Sequence, residues 1–209
     1  MLTIENGVDW NKFAHPPRPR AARRLIYVGR LASHKRIGTL IGLLAALCRR
    51  APEAGWELVV AGAGGDVEPG ELHAAAEAAG VAGQVRHVLG ASDAELAAEL
   101  AQAGFYVSAS MHEGFGLAAV EAAAAGLMPV LSDIPPFARI VRRLGGGLLF
   151  DPDDLEGAAE RLAALDVDPA ARIRLREAAR GFGWREPAEA YLQTYRRILA
   201  LHAPEVATA

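Results

Sequence analysis

The chain of 209 residues is long enough for one sizeable domain, and its near-balanced charge of −3 gives no electrostatic basis for binding nucleic acid or an anionic membrane. One cysteine, Cys48, excludes an internal disulfide, and no apolar run approaches the roughly 18 residues of a membrane span. Only Lys12 and Lys35 among the 22 basic residues are lysine, which with the alanine excess reads as coding bias rather than a basic patch.

Residues 1–23 carry little periodicity: Asn6-Gly7 is a turn signal and Pro16-Pro17-Arg18-Pro19 an extended connector. From Arg24 the pattern is regular. Leu25–Val28 is an apolar strand ending at Gly29, with a polar loop and then a helix over 36–50. Trp56–Ala61 is a second strand, ending in Gly62-Ala63-Gly64-Gly65 and followed by a helix over 70–79. Val85–Leu89 is a third, after which Ser92 or Asp93 caps a helix over 93–102. Phe105–Ser108 leads into a glycine-containing loop and an alanine-rich helix. Met128–Leu131 and Leu148–Phe150 are further strands, separated by a helix over 136–143. Helices over 154–165, 169–181 and 186–201 complete the chain. Cys48 falls in the apolar helical stretch Leu40–Cys48 and reads as a buried structural thiol.

Short, continuous apolar strands alternating with helices argue for α/β architecture, a single doubly wound parallel sheet of about six strands covered on both faces. The expected division is a leading segment and linker over 1–23, a Rossmann-like domain over 24–185, and a C-terminal helix and tail over 186–209. In such sheets ligands sit beyond the carboxyl ends of the strands. The polar and glycine-rich loops all follow strands: Gly29–Arg36, Gly62–Asp66, Gly90–Asp93, Ser110–Gly116 and Ser132–Pro135. They converge on one rim.

On that rim Gly114-Phe115-Gly116-Leu117 opens a helix whose free first-turn amides suit a phosphate. Glu121 is the only charged side chain from Gly114 to Ser132, beside Leu117, Val120 and Ala124 on one helical face. A carboxylate there is costly unless something polar meets it. It lies roughly 6–8 Å along the helix from the first-turn amides, the spacing of a nucleotide's diphosphate and ribose; the alternative is a core carboxylate paired with an arginine. Arg30 and Lys35 on the neighbouring loop would neutralise a diphosphate, or else are solvated loop charges. His34 and His112 read as loop or supporting residues. Gly62-Ala63-Gly64-Gly65 does not complete the dinucleotide fingerprint, no kinase- or ATPase-type phosphate loop is present, and Asp151-Pro152-Asp153 reads as helix capping rather than a metal pair. No grouping of His, Cys and carboxylates suggests a metal.

Taken in series, these residues resemble a known family. Glu113 and Glu121, seven residues between them, match the paired-glutamate motif of retaining glycosyltransferases of the GT-B superfamily, family 4 in particular. Asn6-Gly7-Val8-Asp9 resembles the start of that family's second domain, and Tyr27-Val28-Gly29-Arg30-Leu31 with Lys35 its phosphate-binding loop. Val59-Val60-Ala61-Gly62-Ala63-Gly64 is similar to its second strand and turn, and Trp184, Tyr191 and Tyr195 lie in a segment like its closing helix. Ser33-His34-Lys35-Arg36 departs from the usual Glu-Lys-Gly but keeps the lysine.

The resemblance implies a donor-binding domain. Arg30 and Lys35 would hold the diphosphate with the backbone of Phe115–Leu117. Glu113 would bind hydroxyls of the transferred sugar and Glu121 the ribose, and Gly90–Ser92 would lie against the base. It implies catalysis with retention and without a metal or other cofactor, the leaving phosphate helping to deprotonate the acceptor. Gly29, Gly62, Gly114 and Gly116 complete the binding set.

His112–Glu121 and Leu131–Phe137 look most like bacterial exopolysaccharide α-mannosyltransferases that extend a polyprenyl-diphosphate-linked saccharide. GDP-mannose is therefore the favoured donor, with UDP-sugars as the alternative. Such enzymes have two Rossmann-like halves, and this chain matches the second. The partners expected are a nucleotide sugar, the missing N-terminal acceptor domain and a saccharide or polyprenyl-diphosphate-linked acceptor, with little or no transfer by this chain alone. A cytoplasmic location is expected, peripheral at the inner membrane face in a full-length enzyme. A sugar-nucleotide epimerase and a non-catalytic nucleotide-binding module remain as other classes.

Overall fold

The computed structural model describes residues 4–13, 23–165 and 168–201. Its strands are β1 (Arg24–Val28), β2 (Glu57–Ala61), β3 (Val85–Val88), β4 (Phe105–Ser108), β5 (Met128–Ser132) and β6 (Leu148–Phe150). The helices are α1 (Trp10–Phe13), α2 (Ile37–Arg50), α3 (Pro69–Ala78), α4 (Asp93–Leu100), α5 (Leu117–Ala124), α6 (Pro135–Leu144), α7 (Leu155–Ala163), α8 (Pro169–Ala179) and α9 (Arg185–Leu201). All six strands are parallel in the order β3-β2-β1-β4-β5-β6. The α/β reading and the strand count are borne out, each strand within about a residue of its expected span. The Pro16–Pro19 connector lies outside the described residues.

Alternation along each strand divides the core in two. Leu25, Tyr27, Leu58, Val60, Phe105 and Val107 pack under α2, α3 and α7 with Trp56 and Phe150. Ile26, Val59, Tyr106 and Leu131 face α4, α5, α6 and α8. With both faces covered, the inner strands have little polar side to present, which is why they read as continuous apolar runs, whereas the edge strand β3 carries an exposed Arg86.

Of the two caps offered for α4, Ser92 is the one used, its hydroxyl and Glu95 forming a reciprocal capping box. The Asp151–Asp153 capping expectation is corrected. Asp154 caps α7, accepting from Gly157, while Asp153 pairs with Arg36 at 2.8 Å. Asp151 instead accepts from the Asp153 amide. Residues 4–13 are more ordered than their weak periodicity implies. Val8 is buried and donates its amide to Phe182 at 2.8 Å, and the Trp10 indole donates to the Arg176 carbonyl at 3.0 Å. A β-carbon on Gly7 would lie 2.6 Å from Trp184 Cα, so the segment lies flush on the chain before α9.

The strand order reverses between β1 and β4. Connections leave these neighbours in opposite directions, so their loops diverge and open a crevice at the carboxyl edge.

Candidate functional site

Two loops form the crevice. The first follows β1, turns through the 3-10 segment Ser33–Lys35 and enters α2 at Arg36, whose φ of 50° is left-handed. A non-glycine residue in that conformation costs about 1 kcal/mol, offset here by surrounding bonds. The Tyr27 hydroxyl donates to the Arg30 carbonyl at 2.7 Å, and the Ser33 amide donates to Asp66 at 2.9 Å. The second loop runs from β4 to α5. Its Met111 amide donates to the His34 carbonyl at 2.9 Å, stitching the loops together. Ser132, at the end of β5, donates its hydroxyl to the Ser110 carbonyl at 2.6 Å.

This stitching brings Lys35 onto Glu113. The ammonium pairs with Glu113 Oε1, and the two side chains are only 17 % and 20 % exposed. α5 starts immediately behind them. Its cap is Gly116, at φ 90°, where a β-carbon would sit 2.8 Å from Ile140 Cδ1. Glycine at that cap supplies no side-chain bond, so the first-turn amides face the crevice with the positive end of the helix dipole. Arg30 stands exposed at the rim.

The result is a cleft of about 300 Å³ lined by Gly29, Arg30, Lys35, Glu113 and Phe115 to Ala118, with Asn6, Tyr27, Val28 and Tyr106. A second cleft of about 360 Å³ shares Val28, Gly29 and Arg30 and continues over Ala61, Gly62, Ala63, Gly90, Ala91 and Leu96. One cleft is charged and the other largely apolar. Their shared wall is close-packed backbone: a β-carbon on Gly62 would fall 1.8 Å from the Gly29 carbonyl oxygen. Together they form one groove with a charged corner and an apolar arm.

Of the residues singled out in the sequence, Gly29, Arg30, Lys35, Gly62, Gly90, Glu113, Phe115, Gly116 and Leu117 line this groove. Gly114 is exposed between Glu113 and Phe115, with open space where a β-carbon would lie. His34 and His112 are exposed loop residues, as read.

Glu121 is not on the wall of either cleft. It is half-buried on α5, where burial raises its carboxyl above the ordinary range. The nearby Lys12 of α1 opposes that rise and Asp93 adds to it, while Lys12 and Asp93 pair with each other at 2.9 Å. The charge near Glu121 is therefore not the arginine weighed for it but Lys12 of the leading segment, which itself pairs with Asp93.

Asn6, Tyr27, Tyr106 and Ser110 were not among the site residues singled out in the sequence, although each lies in a stretch named there. The tyrosines were legible only as core residues: each is buried on its strand yet contributes to the cleft. Burial first, and then the negative charge of Glu113, raises the Tyr27 phenol; Tyr106 is raised well above its ordinary value, chiefly by burial. Both stay protonated at neutral pH, and Tyr27 spends its proton on the Arg30 carbonyl. Cys48 is half-buried, and burial raises its thiol. Among the described residues no group of three or more His, Cys, Asp and Glu is placed to hold a metal, and no helix is long and apolar enough to cross a membrane.

A six-stranded parallel sheet with a charged cleft at its switch point is the architecture of a GT-B glycosyltransferase domain. The chain belongs to the family described as glycosyl transferases group 1, which matches residues 8–182.

Among its relatives is the GDP-mannose:cellobiosyl-diphosphopolyprenol alpha-mannosyltransferase of Komagataeibacter xylinus, 40 % identical over 210 residues, covering 98 % of this chain and 53 % of that protein. The enzyme of the same name from Xanthomonas campestris is 36 % identical over 204 residues, covering 95 % and 53 %. The sucrose-phosphate synthase structure from Thermosynechococcus elongatus superposes with a TM-score of 0.76 at 26 % identity, covering 95 % of this chain and 52 % of that one. The Anabaena Alr3699/HepE structure, at 19 % identity, TM-score 0.74 and coverage of 92 % and 56 %, shares the fold. The resemblance to α-mannosyltransferases drawn from the motifs is borne out. The chain spans about half the length of the curated relatives it matches.

Proposed function

We propose that this chain is the donor-binding half of a retaining α-mannosyltransferase that takes mannose from GDP-mannose to a polyprenyl-diphosphate-linked saccharide. The observation that carries the reading is the Lys35–Glu113 pair astride the start of α5, a cation for phosphate and a carboxylate for sugar hydroxyls at one corner. The names of the relatives support the donor and the acceptor.

In this reading the diphosphate lies over the amides of Leu117 and Ala118, with Lys35 and Arg30 as counter-charges. As the glycosidic bond breaks, negative charge grows on the departing diphosphate, where fixed cations and helix amides stabilise it without reorganising. These groups perform the neutralisation that a metal performs elsewhere, so the reaction is metal-independent. A diphosphate oxygen on the same face takes the acceptor hydroxyl proton, and retention follows from that shared face. Glu113 orients the mannose. Glu121, half-buried in α5, accepts the ribose hydroxyls, and the apolar arm past Gly62 and Gly90 takes the base.

Contacts to the acceptor belong to the other half of such an enzyme, so the chain alone binds donor but transfers little. Calorimetry with GDP, UDP, GDP-mannose and UDP-glucose tests the proposal: binding of the guanine pair is expected, with the uracil pair weaker. Binding of none of the four, or robust transfer by this chain alone, would overturn it.

A further inference from the structure

The carboxylate oxygen that Lys35 holds is also the one Ser110 reaches. Ser110 Oγ lies 3.4 Å from Glu113 Oε1, long for a hydroxyl–carboxylate bond, while Lys35 occupies the same oxygen. Ser110 is wholly buried and fixed from two sides. Its hydroxyl lies 2.9 Å from that of buried Ser108, and its carbonyl accepts the Ser132 hydroxyl at 2.6 Å.

The Glu113 carboxylate can only accept, so the Ser110 proton faces it, and Ser110 accepts from Ser108.

On the donor-site reading above, binding requires Lys35 to exchange partners. A diphosphate at the α5 terminus draws the ammonium off Glu113, which then has lost its counter-ion when it must meet the sugar hydroxyls. We propose that Ser110 is the positioning residue for Glu113: in the loaded site its hydroxyl takes over the oxygen that Lys35 releases and keeps the carboxylate aimed at the donor sugar. Two consequences follow. Glu113 competes with a bare nucleoside diphosphate for Lys35, and the sugar's share of donor affinity depends on Ser110.

The readout is the ratio of the GDP to the GDP-mannose dissociation constant, measured by calorimetry alongside the UDP and UDP-glucose pair. Ser110→Ala is expected to lower this ratio about tenfold, the worth of one bond to a charged group. Ser110→Cys, which preserves volume but donates weakly, lowers it similarly if the alanine variant folds poorly. Glu113→Gln frees Lys35, so GDP binds several-fold tighter while the ratio falls. Adding Ser110→Ala to Glu113→Gln lowers it no further, since the two act through one carboxylate. Ser110→Thr, which retains the hydroxyl, restores the ratio.

Equal weakening of GDP and GDP-mannose by Ser110→Ala or Ser110→Cys, or additive losses in the double variant, would overturn the inference and leave Ser110 a structural residue. Binding of neither nucleotide pair by the wild type would instead overturn the donor-site reading itself.

Discussion

The two glutamates of one motif sit in opposite circumstances. Glu113, on the loop, has a cation on its carboxylate and a buried hydroxyl behind it. Glu121, within α5, lies among Ala119, Val120, Ala122 and Ala123, all buried, and its carboxyl is raised by that burial. A carboxylate with a counter-ion costs little and can exchange partners. One inside an apolar helix face holds its charge at the expense of stability. On the proposed donor-site reading, the loop end suits exchange and the helix end a standing demand that hydroxyl groups can meet.

The scaffold common to both ends gives the largest expected effect. Gly62→Ala drives a β-carbon into the Gly29 carbonyl oxygen, so urea unfolding should show a loss of about 3 kcal/mol. Lys35→Ala strikes the loop end alone. It removes the cation from the diphosphate corner, and GDP affinity by calorimetry should fall roughly thirtyfold, or about 2 kcal/mol.

Glu121→Gln separates the ends by sign. Nucleotide affinity should drop about tenfold, whereas thermal stability at neutral pH should rise. The folded carboxyl binds its proton more tightly than the ordinary 4.5 of the unfolded chain. Wild-type stability therefore falls as pH rises through that window, and the penalty is complete above it. The advantage of the glutamine variant should accordingly be present at neutral pH and vanish below the ordinary carboxylate range. A melting series across pH checks this, and an advantage that grows toward acid would break the contrast between the two glutamates.

The parallel sheet was legible because strands buried on both faces leave unbroken apolar runs, such as Leu25–Val28 and Phe105–Ser108, with glycine or polar punctuation after each. The strand order was not, since neighbours across the switch point are chosen by the direction of each crossover. Groove-lining residues on loops were legible where charge or glycine broke the pattern, as at Lys35, Glu113 and Gly116. Tyr27, Tyr106 and Ser110 were hidden because a buried strand or loop residue looks the same whether it only packs or also supports the cleft. Lys12 was hidden for another reason: it reaches α5 from a segment whose order depends on Val8 and Trp10 docking more than 160 residues away, at Phe182 and Arg176.

The central claim is that one nucleotide-binding groove joins the α5 terminus to the apolar arm. Titrating the ¹⁵N-labelled chain with GDP and following its amide resonances tests this most directly. The account predicts that Leu117 and Ala118 shift together with Gly62 and Gly90, at one dissociation constant. Shifts confined to the separate cleft around Arg143 and Glu186, or no shift at the start of α5, would contradict it.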